Sequence, residues 1–124
     1  MNEEKKYDLE DRLITFAVMI ANMSENLPET MYGRYICGQI IRSATSPALN
    51  YGEAKSAESL NDFIHKMKIC LKELRETLVA LKIIQKKPLI RNTETVAIGL
   101  QECNELIAIF VKSIQTSEKR KTPK

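Results

Sequence analysis

The segment from residue 60 to residue 81 places the strongest constraint on the fold. Large apolar side chains recur there at alternating steps of four and three residues, and they are Leu60, Ile64, Met67, Leu71, Leu74, Leu78 and Leu81. This spacing puts one apolar stripe along an α-helix of at least six turns. Ser59 precedes the run as the predicted N-cap, and Pro88 follows its end. A helix of this length needs partner helices to cover its stripe.

Three further segments show the same periodicity. Asp8 and Thr30 predict the starts of the first two helices, and Asn92 or Thr93 predicts the start of the fourth. The predicted helices span about residues 8–24, 31–54, 60–86 and 93–117, with roughly five to eight residues between them, and residues 118–124 form a basic, flexible tail. Pro47 predicts a kink or a break in the second helix. The pattern predicts an all-α fold, an up-and-down antiparallel four-helix bundle over residues 1–117.

Composition supports one globular domain that is helical. The chain has 124 residues, of which 44% are hydrophobic and 28% charged, and its four glycines leave little material for the many tight turns of a β-sandwich. No apolar run approaches the roughly 18 residues of a membrane span, and the N-terminus is too acidic and polar for a signal peptide. We therefore expect a cytosolic protein that does not bind membranes.

Charge is unevenly distributed along the chain, although the net charge is only +3. Residues 1–30 hold seven acidic and three basic residues, a net of −4, whereas residues 56–91 hold four acidic and eight basic residues, a net of +4. One side of the third helix carries a basic stripe, formed by Lys68, Lys72, Arg75, Lys82 and Lys86. Two interpretations remain open for the basic stripe: it contacts the phosphates of RNA or DNA, or it is a solvated flank whose aliphatic stems cover the core edge. Without a Gly-rich phosphate loop or an aromatic ladder, any nucleic-acid binding should depend on shape and charge.

A second apolar set lies away from the core stripes of the third and fourth helices. Its members are Ile69, Val79, Ala80, Ile83, Ile98 and Ile109. Scattered exposed apolar residues are common, but their recurrence on both long helices favours a subunit interface. We therefore expect a homo-oligomer.

No pattern in the sequence indicates catalysis. His65 is the only histidine, and it projects to the side of the third helix away from the core, which favours a surface or interface role. Cys37, Cys70 and Cys103 lack CxxC spacing and lie within apolar helical patterns, so buried free thiols are favoured over redox or metal chemistry. The sequence predicts a protein that is not an enzyme, with no metal, cofactor or small-molecule substrate.

Polar residues of the second helix form a spaced motif. It consists of Gln39, Arg42, Ser43, Ala44, Ser46, Asn50 and Glu53. The third helix continues it with Asp62, Phe63, Ile64, Leu74 and Glu76. Over residues 39–84 the chain resembles the four-helix-bundle family of proteins encoded by intervening sequences in bacterial 23S ribosomal RNA genes. It departs from that family in lacking an N-terminal tryptophan-lysine element and in having Ala54 after Glu53 in place of the usual glycine.

The resemblance implies several properties of the chain. Members of the family look like small bacterial cytosolic bundles that assemble as homopentamers, without an established enzymatic activity. The accessory variability determinant of diversity-generating retroelements is a related pentameric bundle that binds a reverse transcriptase and nucleic acid. Gln39, Arg42, Ser46, Asn50 and Glu53 are the matching polar positions, for which we expect a structural role. Two hypotheses follow: a homo-oligomeric scaffold that binds RNA or DNA through the basic stripe, or an adaptor for an acidic protein such as a polymerase or reverse transcriptase domain.

Overall fold

Four antiparallel helices make up the computed structural model, which describes residues 8–121. They are α1 (Leu9–Ser24), α2 (Met31–Lys55), α3 (Leu60–Lys86) and α4 (Thr93–Lys121). Each helix packs against the next, and α1 also packs against α4, whereas α1 does not pack against α3 within the described residues. The helices therefore form a closed ring around one core, which confirms the predicted four-helix bundle.

The helix starts are set by side-chain caps at the predicted positions. The side-chain oxygens of Asp8, Thr30 and Ser59 each accept a hydrogen bond of 3.0 to 3.1 Å from the backbone amide three residues later. Asn92, rather than Thr93, caps α4, because its Oδ1 accepts from the amide of Glu94 at 3.1 Å. Each cap satisfies one of the amides that the first helical turn leaves unpaired, a contribution of about 1 kcal/mol.

The apolar stripes of all four helices meet in the core. Phe16 and Phe110 are its largest fully buried side chains, and the ring of Tyr51 packs edge-on against Phe110 with 6.1 Å between centroids. Burying a large apolar side chain contributes about 1.5 to 3 kcal/mol, so this packing is the main stabilisation of the fold. The core also contains polar contacts, among them a 2.8 Å hydrogen bond between the hydroxyls of Ser43 in α2 and Thr77 in α3.

The second helix continues through Pro47, so the predicted alternative of a break is wrong. Pro47 is buried, and its carbonyl oxygen lies 3.5 Å from the Cys70 thiol of α3, which donates to it. One turn later, the Asn50 Nδ2 donates to the carbonyl oxygen of Ser46 at 3.0 Å and to its hydroxyl at 2.9 Å. Packing on α3 and these side-chain hydrogen bonds hold the helix together where proline removes a backbone donor.

The fourth helix extends four residues beyond its predicted end, to Lys121. Residues 118–121, which the sequence assigns to the tail, are helical, and residues 122–124 lie outside the described residues. Glu118 pairs with Lys68 of α3 at 3.0 Å, and the last turn carries Lys119, Arg120 and Lys121 at the negative end of the helix dipole. Because the bundle has an even number of antiparallel helices, Asp8 and Lys121 lie at the same end.

No helix within residues 8–121 combines the length and the hydropathy that crossing a lipid bilayer requires.

Candidate functional site

The basic stripe lies on the solvent-facing side of α3. Lys68, Lys72, Arg75, Lys82 and Lys86 are all exposed. Lys68 and Lys86 are 18 residue steps apart, which corresponds to about 27 Å of rigid helix, since the rise is about 1.5 Å per residue. Within residues 8–121, only Lys68 of this set has an ion-pair partner, which is Glu118.

Two acidic residues in the middle of α3, Glu73 and Glu76, form ion pairs with α2. The Arg42 Nη1 lies 3.0 Å from the Glu73 Oε1, and its Nη2 donates to the Glu76 carboxylate. Hydrogen bonds to Glu76 and Glu73 raise the pKa of the Arg42 guanidinium above its usual range. Arg42 therefore neutralises the two carboxylates that lie beside the basic stripe.

The acidic residues in the middle of α4 are similarly held on the flank that faces α1. The Arg12 Nε lies 2.6 Å from the Glu102 Oε2, and its Nη2 lies 2.7 Å from the Glu105 Oε1. Hydrogen bonds from Gln101 and Arg12 lower the pKa of the Glu105 carboxyl. The flank of α4 on the α3 side carries uncharged exposed residues, which are Ala97, Asn104, Ala108 and Gln115.

These two ion-pair clusters leave the α3–α4 surface with a single sign of charge over most of its length. Its acidic exception is Glu118, which lies at the Lys68 end and is partly neutralised by Lys121 at 3.6 Å. Hydrogen bonding from Lys68, followed by the charge of Lys121, lowers the pKa of the Glu118 carboxyl. The four cations from Lys72 to Lys86 are therefore available to a polyanion.

The polar motif of α2 mainly braces α2 against α3. Arg42 pairs with α3 as described, and the Glu53 Oε1 lies 2.6 Å from the Lys66 Nζ of α3. Ser46 and Asn50 bond to each other within α2, and Gln39 lines a groove between α2 and α3. These contacts all lie within one chain.

The predicted interface residues differ in how exposed they are. Val79 and Ile98 are 56% and 52% exposed, and Ile69, Ile83 and Ile109 are half-buried. Ala80 is only 7% exposed, so its assignment to the outer surface is wrong. The side of α3 that carries Ala80 is covered by α2, because the α2–α3 contact is broader than the core stripe alone indicates.

Several exposed apolar residues of α1 and α2 are not among those predicted from the sequence. They are Ile14 and Val18 on α1, and Met31, Tyr32, Tyr35, Ile41 and Leu49 on α2. The rings of Tyr32 and Tyr35 stack with 6.3 Å between centroids. These residues lie outside the apolar core stripes of their helices, and that position in the helical period was a signal of exposure present in the sequence.

An apolar groove runs between the first half of α2 and the second half of α3. It has a volume of about 300 Å³ and is lined by Tyr35, Ile36, Gln39, Glu76, Val79, Ala80 and Ile83. A neighbouring depression continues it past Tyr32 and Ile83 to Lys86 and Lys87. We call the two together the α2–α3 groove.

The remaining candidate chemical groups lie apart from one another. His65 is exposed on α3, and within residues 8–121 no group of three His, Cys, Asp or Glu side chains is arranged to hold a metal ion. Cys70 and Cys103 are buried, and desolvation raises the pKa of each thiol to about 12. Cys37 is half-buried.

Comparison with known proteins identifies the family. Residues 5–112 match the model of the 23S rRNA-intervening sequence protein family. A crystal structure of a protein of unknown function from the S23 ribosomal protein family of Bacteroides thetaiotaomicron has a TM-score of 0.79 to this chain and 31% sequence identity, covering 86% of this chain and 98% of that one. A search of curated proteins gives no match. The family match over most of the chain, together with the shared bundle, shows that this chain belongs to the 23S rRNA-intervening sequence protein family.

Proposed function

We propose that this protein is a non-enzymatic, homo-oligomeric scaffold that binds RNA through the basic stripe of α3. The observation that carries the proposal is the separation of charge on α3 and α4. Arg42 and Arg12 form ion pairs with the neighbouring carboxylates, and the cations from Lys72 to Lys86 face solvent without an ion-pair partner among residues 8–121. A rigid row of cations binds the phosphate backbone mainly by releasing condensed counterions.

The recognition that such a surface provides is one of shape and charge. The α3–α4 surface contributes lysine, arginine, amide and alanine side chains, with no aromatic residue among those named above for base stacking. Helical RNA presents phosphates and 2′-hydroxyls across a wide, shallow minor groove that proteins read largely by shape. Structured RNA is therefore the proposed ligand. By family resemblance, five copies form the scaffold, a number that light scattering measures directly.

The binding experiment compares wild type with the Lys72→Gln/Arg75→Gln variant on a structured RNA at two salt concentrations. We expect the double variant to bind RNA more weakly. The slope of log K against log salt concentration should also be smaller in magnitude by about two, because two phosphate contacts are removed. Lys112→Gln is the matched control, since Lys112 is an exposed lysine of α4 outside the stripe. Equal affinity and equal slope for the double variant and wild type would remove the basic stripe from RNA binding.

An acidic protein domain is the alternative ligand for the same cations. A competition assay separates the two classes, because a protein ligand would displace RNA only if both used Lys72 and Arg75. The adaptor hypothesis is favoured if an acidic domain still binds at salt concentrations that abolish RNA binding, and if Lys72→Gln/Arg75→Gln weakens the binding of that domain.

A further inference from the structure

The outer face of α1 carries an exposed apolar ridge with acidic ends. Ile14 and Val18 are 47% and 53% exposed and lie one turn apart, so they project from the bundle side by side. Asp11 and Glu25 are exposed on the same face of α1, before and after the ridge. Neither carboxylate forms an ion pair with any residue between 8 and 121. We call Ile14, Val18 and these two acids the α1 ridge.

The α2–α3 groove has the opposite character in both shape and charge. It is concave and apolar, with Tyr35, Val79 and Ile83 in its lining. Lys86 and Lys87 are exposed at one end of it and form no ion pair within the described residues. The part of the groove between Tyr35 and Ile83 has a volume of about 300 Å³, at the lower limit of sites that enclose small ligands, and it suits a few apolar side chains.

The topology of the bundle prevents these two surfaces from meeting within one chain. In the ring of helices α1 contacts α2 and α4, so α3 lies diagonally across the core from α1. The α1 ridge faces solvent on the outer side of α1, while the groove opens between α2 and α3. Only another molecule can fill the groove with such a ridge.

We propose that the α1 ridge of one copy docks into the α2–α3 groove of the next, with Ile14 and Val18 against Tyr35, Val79 and Ile83 and with the carboxylate at one end of the ridge, Asp11 or Glu25, near Lys87. The proposal rests on the proposed homo-oligomer and specifies how its subunits meet. The contact is head-to-tail, because the two participating surfaces differ. Each copy then offers one ridge and one groove, which generates a closed ring or an open chain of subunits.

A mixing experiment tests this pairing. Val18→Glu disables the ridge and Val79→Glu disables the groove, and both positions are more than half exposed, so each variant should fold with the helical content of wild type. We expect each variant alone to be monomeric by light scattering. An equimolar mixture should give a complex of twice the 14.2 kDa chain mass and no larger, because the intact groove of one variant accepts the intact ridge of the other.

The controls distinguish the pairing from oligomerisation itself. Leu49→Glu changes an apolar residue that is 67% exposed in the second half of α2, outside both surfaces, and should leave assembly unchanged. If wild type is monomeric at micromolar concentration, the homo-oligomer and the pairing both fail. If wild type assembles but the two variants also assemble, or the mixture stays monomeric, the pairing alone is overturned.

Charge reversal provides a second, independent arm. Lys87→Glu should raise the concentration needed for assembly by up to about fivefold, because an exposed ion pair contributes only about 0.2 to 1 kcal/mol. Asp11 and Glu25 are about 21 Å apart along the helix, so only one of the variants Asp11→Lys and Glu25→Lys should have the same effect, and combining that variant with Lys87→Glu should recover most of the wild-type assembly. Additive weakening in both combinations would contradict the contact between these charges.

Discussion

At the scale of single residues, position in the bundle decides how the three cysteines behave. The Cys70 thiol donates to the carbonyl oxygen of Pro47, and the Cys103 thiol donates to that of Leu74 at 3.3 Å. Both side chains are removed from water in the core, whereas Cys37 lies at its edge. Burial rather than sequence spacing therefore sets their chemistry, because the thiolate is the reactive form of cysteine.

We expect one fast and two slow cysteines in alkylation of the folded protein at pH 8. Because desolvation raises the pKa of Cys70 and Cys103 to about 12, very little of either thiol is ionised at that pH. Mass spectrometry of the alkylated protein measures the three rates separately. In denaturant the rates should become equal, and rapid modification of Cys103 in the folded state would show that α3 and α4 pack more loosely than described.

At the scale of elements, the helix boundaries were predictable because they depend on local chemistry. The caps at Asp8, Thr30 and Ser59 and the apolar spacing of each helix are properties of short segments. The α2–α3 groove was not predictable, because Tyr35 and Val79 come together only through the packing of two helices. The same limit explains Ala80: its helical projection placed it at the surface, but the width of the α2 contact decides its burial.

For the basic stripe, the positions of the residues were predictable from the sequence but their charge environment was not. Its positions on α3 follow from the helical period, and the structure places all five side chains at the surface. The pairing of Arg42 with Glu73 and Glu76 depends on the register between α2 and α3, which spacing along one helix does not define. The charge of the surface therefore required the structure.

Replacing each of two glycines of α2 by alanine tests how closely the preceding turn packs on this helix. A Cβ at position 33 would overlap the carbonyl oxygen of Pro28 and lie 2.9 Å from its Cγ, whereas a Cβ at position 38 would meet nothing within 4 Å. Gly33→Ala should lower the free energy of unfolding by about 1 to 3 kcal/mol, since backbone must shift to accommodate it. Gly38→Ala should raise it by about 0.5 to 1 kcal/mol through helix propensity. Urea denaturation followed by circular dichroism measures both, and stabilisation by Gly33→Ala would contradict the close packing of Pro28 on α2.

At the scale of the whole molecule, ion pairs connect neighbouring helices around the ring. Lys55 of α2 pairs with Glu10 of α1 at 2.7 Å, Glu53 and Arg42 join α2 to α3, and Lys68 joins α3 to α4. Arg12 completes the ring between α4 and α1. Each pair is solvent-exposed and modest by itself, so together they act mainly on register and on the sign of charge that each face presents.

Acid should destabilise the bundle below about pH 4.5. The pKa values of Glu105 and Glu118 are lowered in the folded state from their ordinary value of 4.5, by hydrogen bonds from Gln101 and Arg12 and from Lys68 respectively. Their contribution is therefore present above the unfolded pKa and is lost as the pH falls through the lower folded pKa. Thermal unfolding between pH 7 and pH 3 measures the loss.

The Arg12→Gln variant is the control for this acid sensitivity. It removes one of the cations that favour the ionised form of Glu105, so its melting temperature should fall less between pH 7 and pH 3 than that of wild type. An equal fall in both proteins would show that the carboxyl groups paired with Arg12 do not drive acid unfolding.

The even number of helices has a practical consequence for the design of fusions. Asp8 and Lys121 emerge at one end of the bundle, whereas Tyr32 and Lys87 lie towards the other end, next to the α1–α2 and α3–α4 linkers. A fluorescent label or an affinity handle attached directly at Asp8 or Lys121 is thus held away from the groove. The same geometry permits circular permutation, in which a peptide joins Lys121 to Asp8 and the chain opens in the linker between α1 and α2.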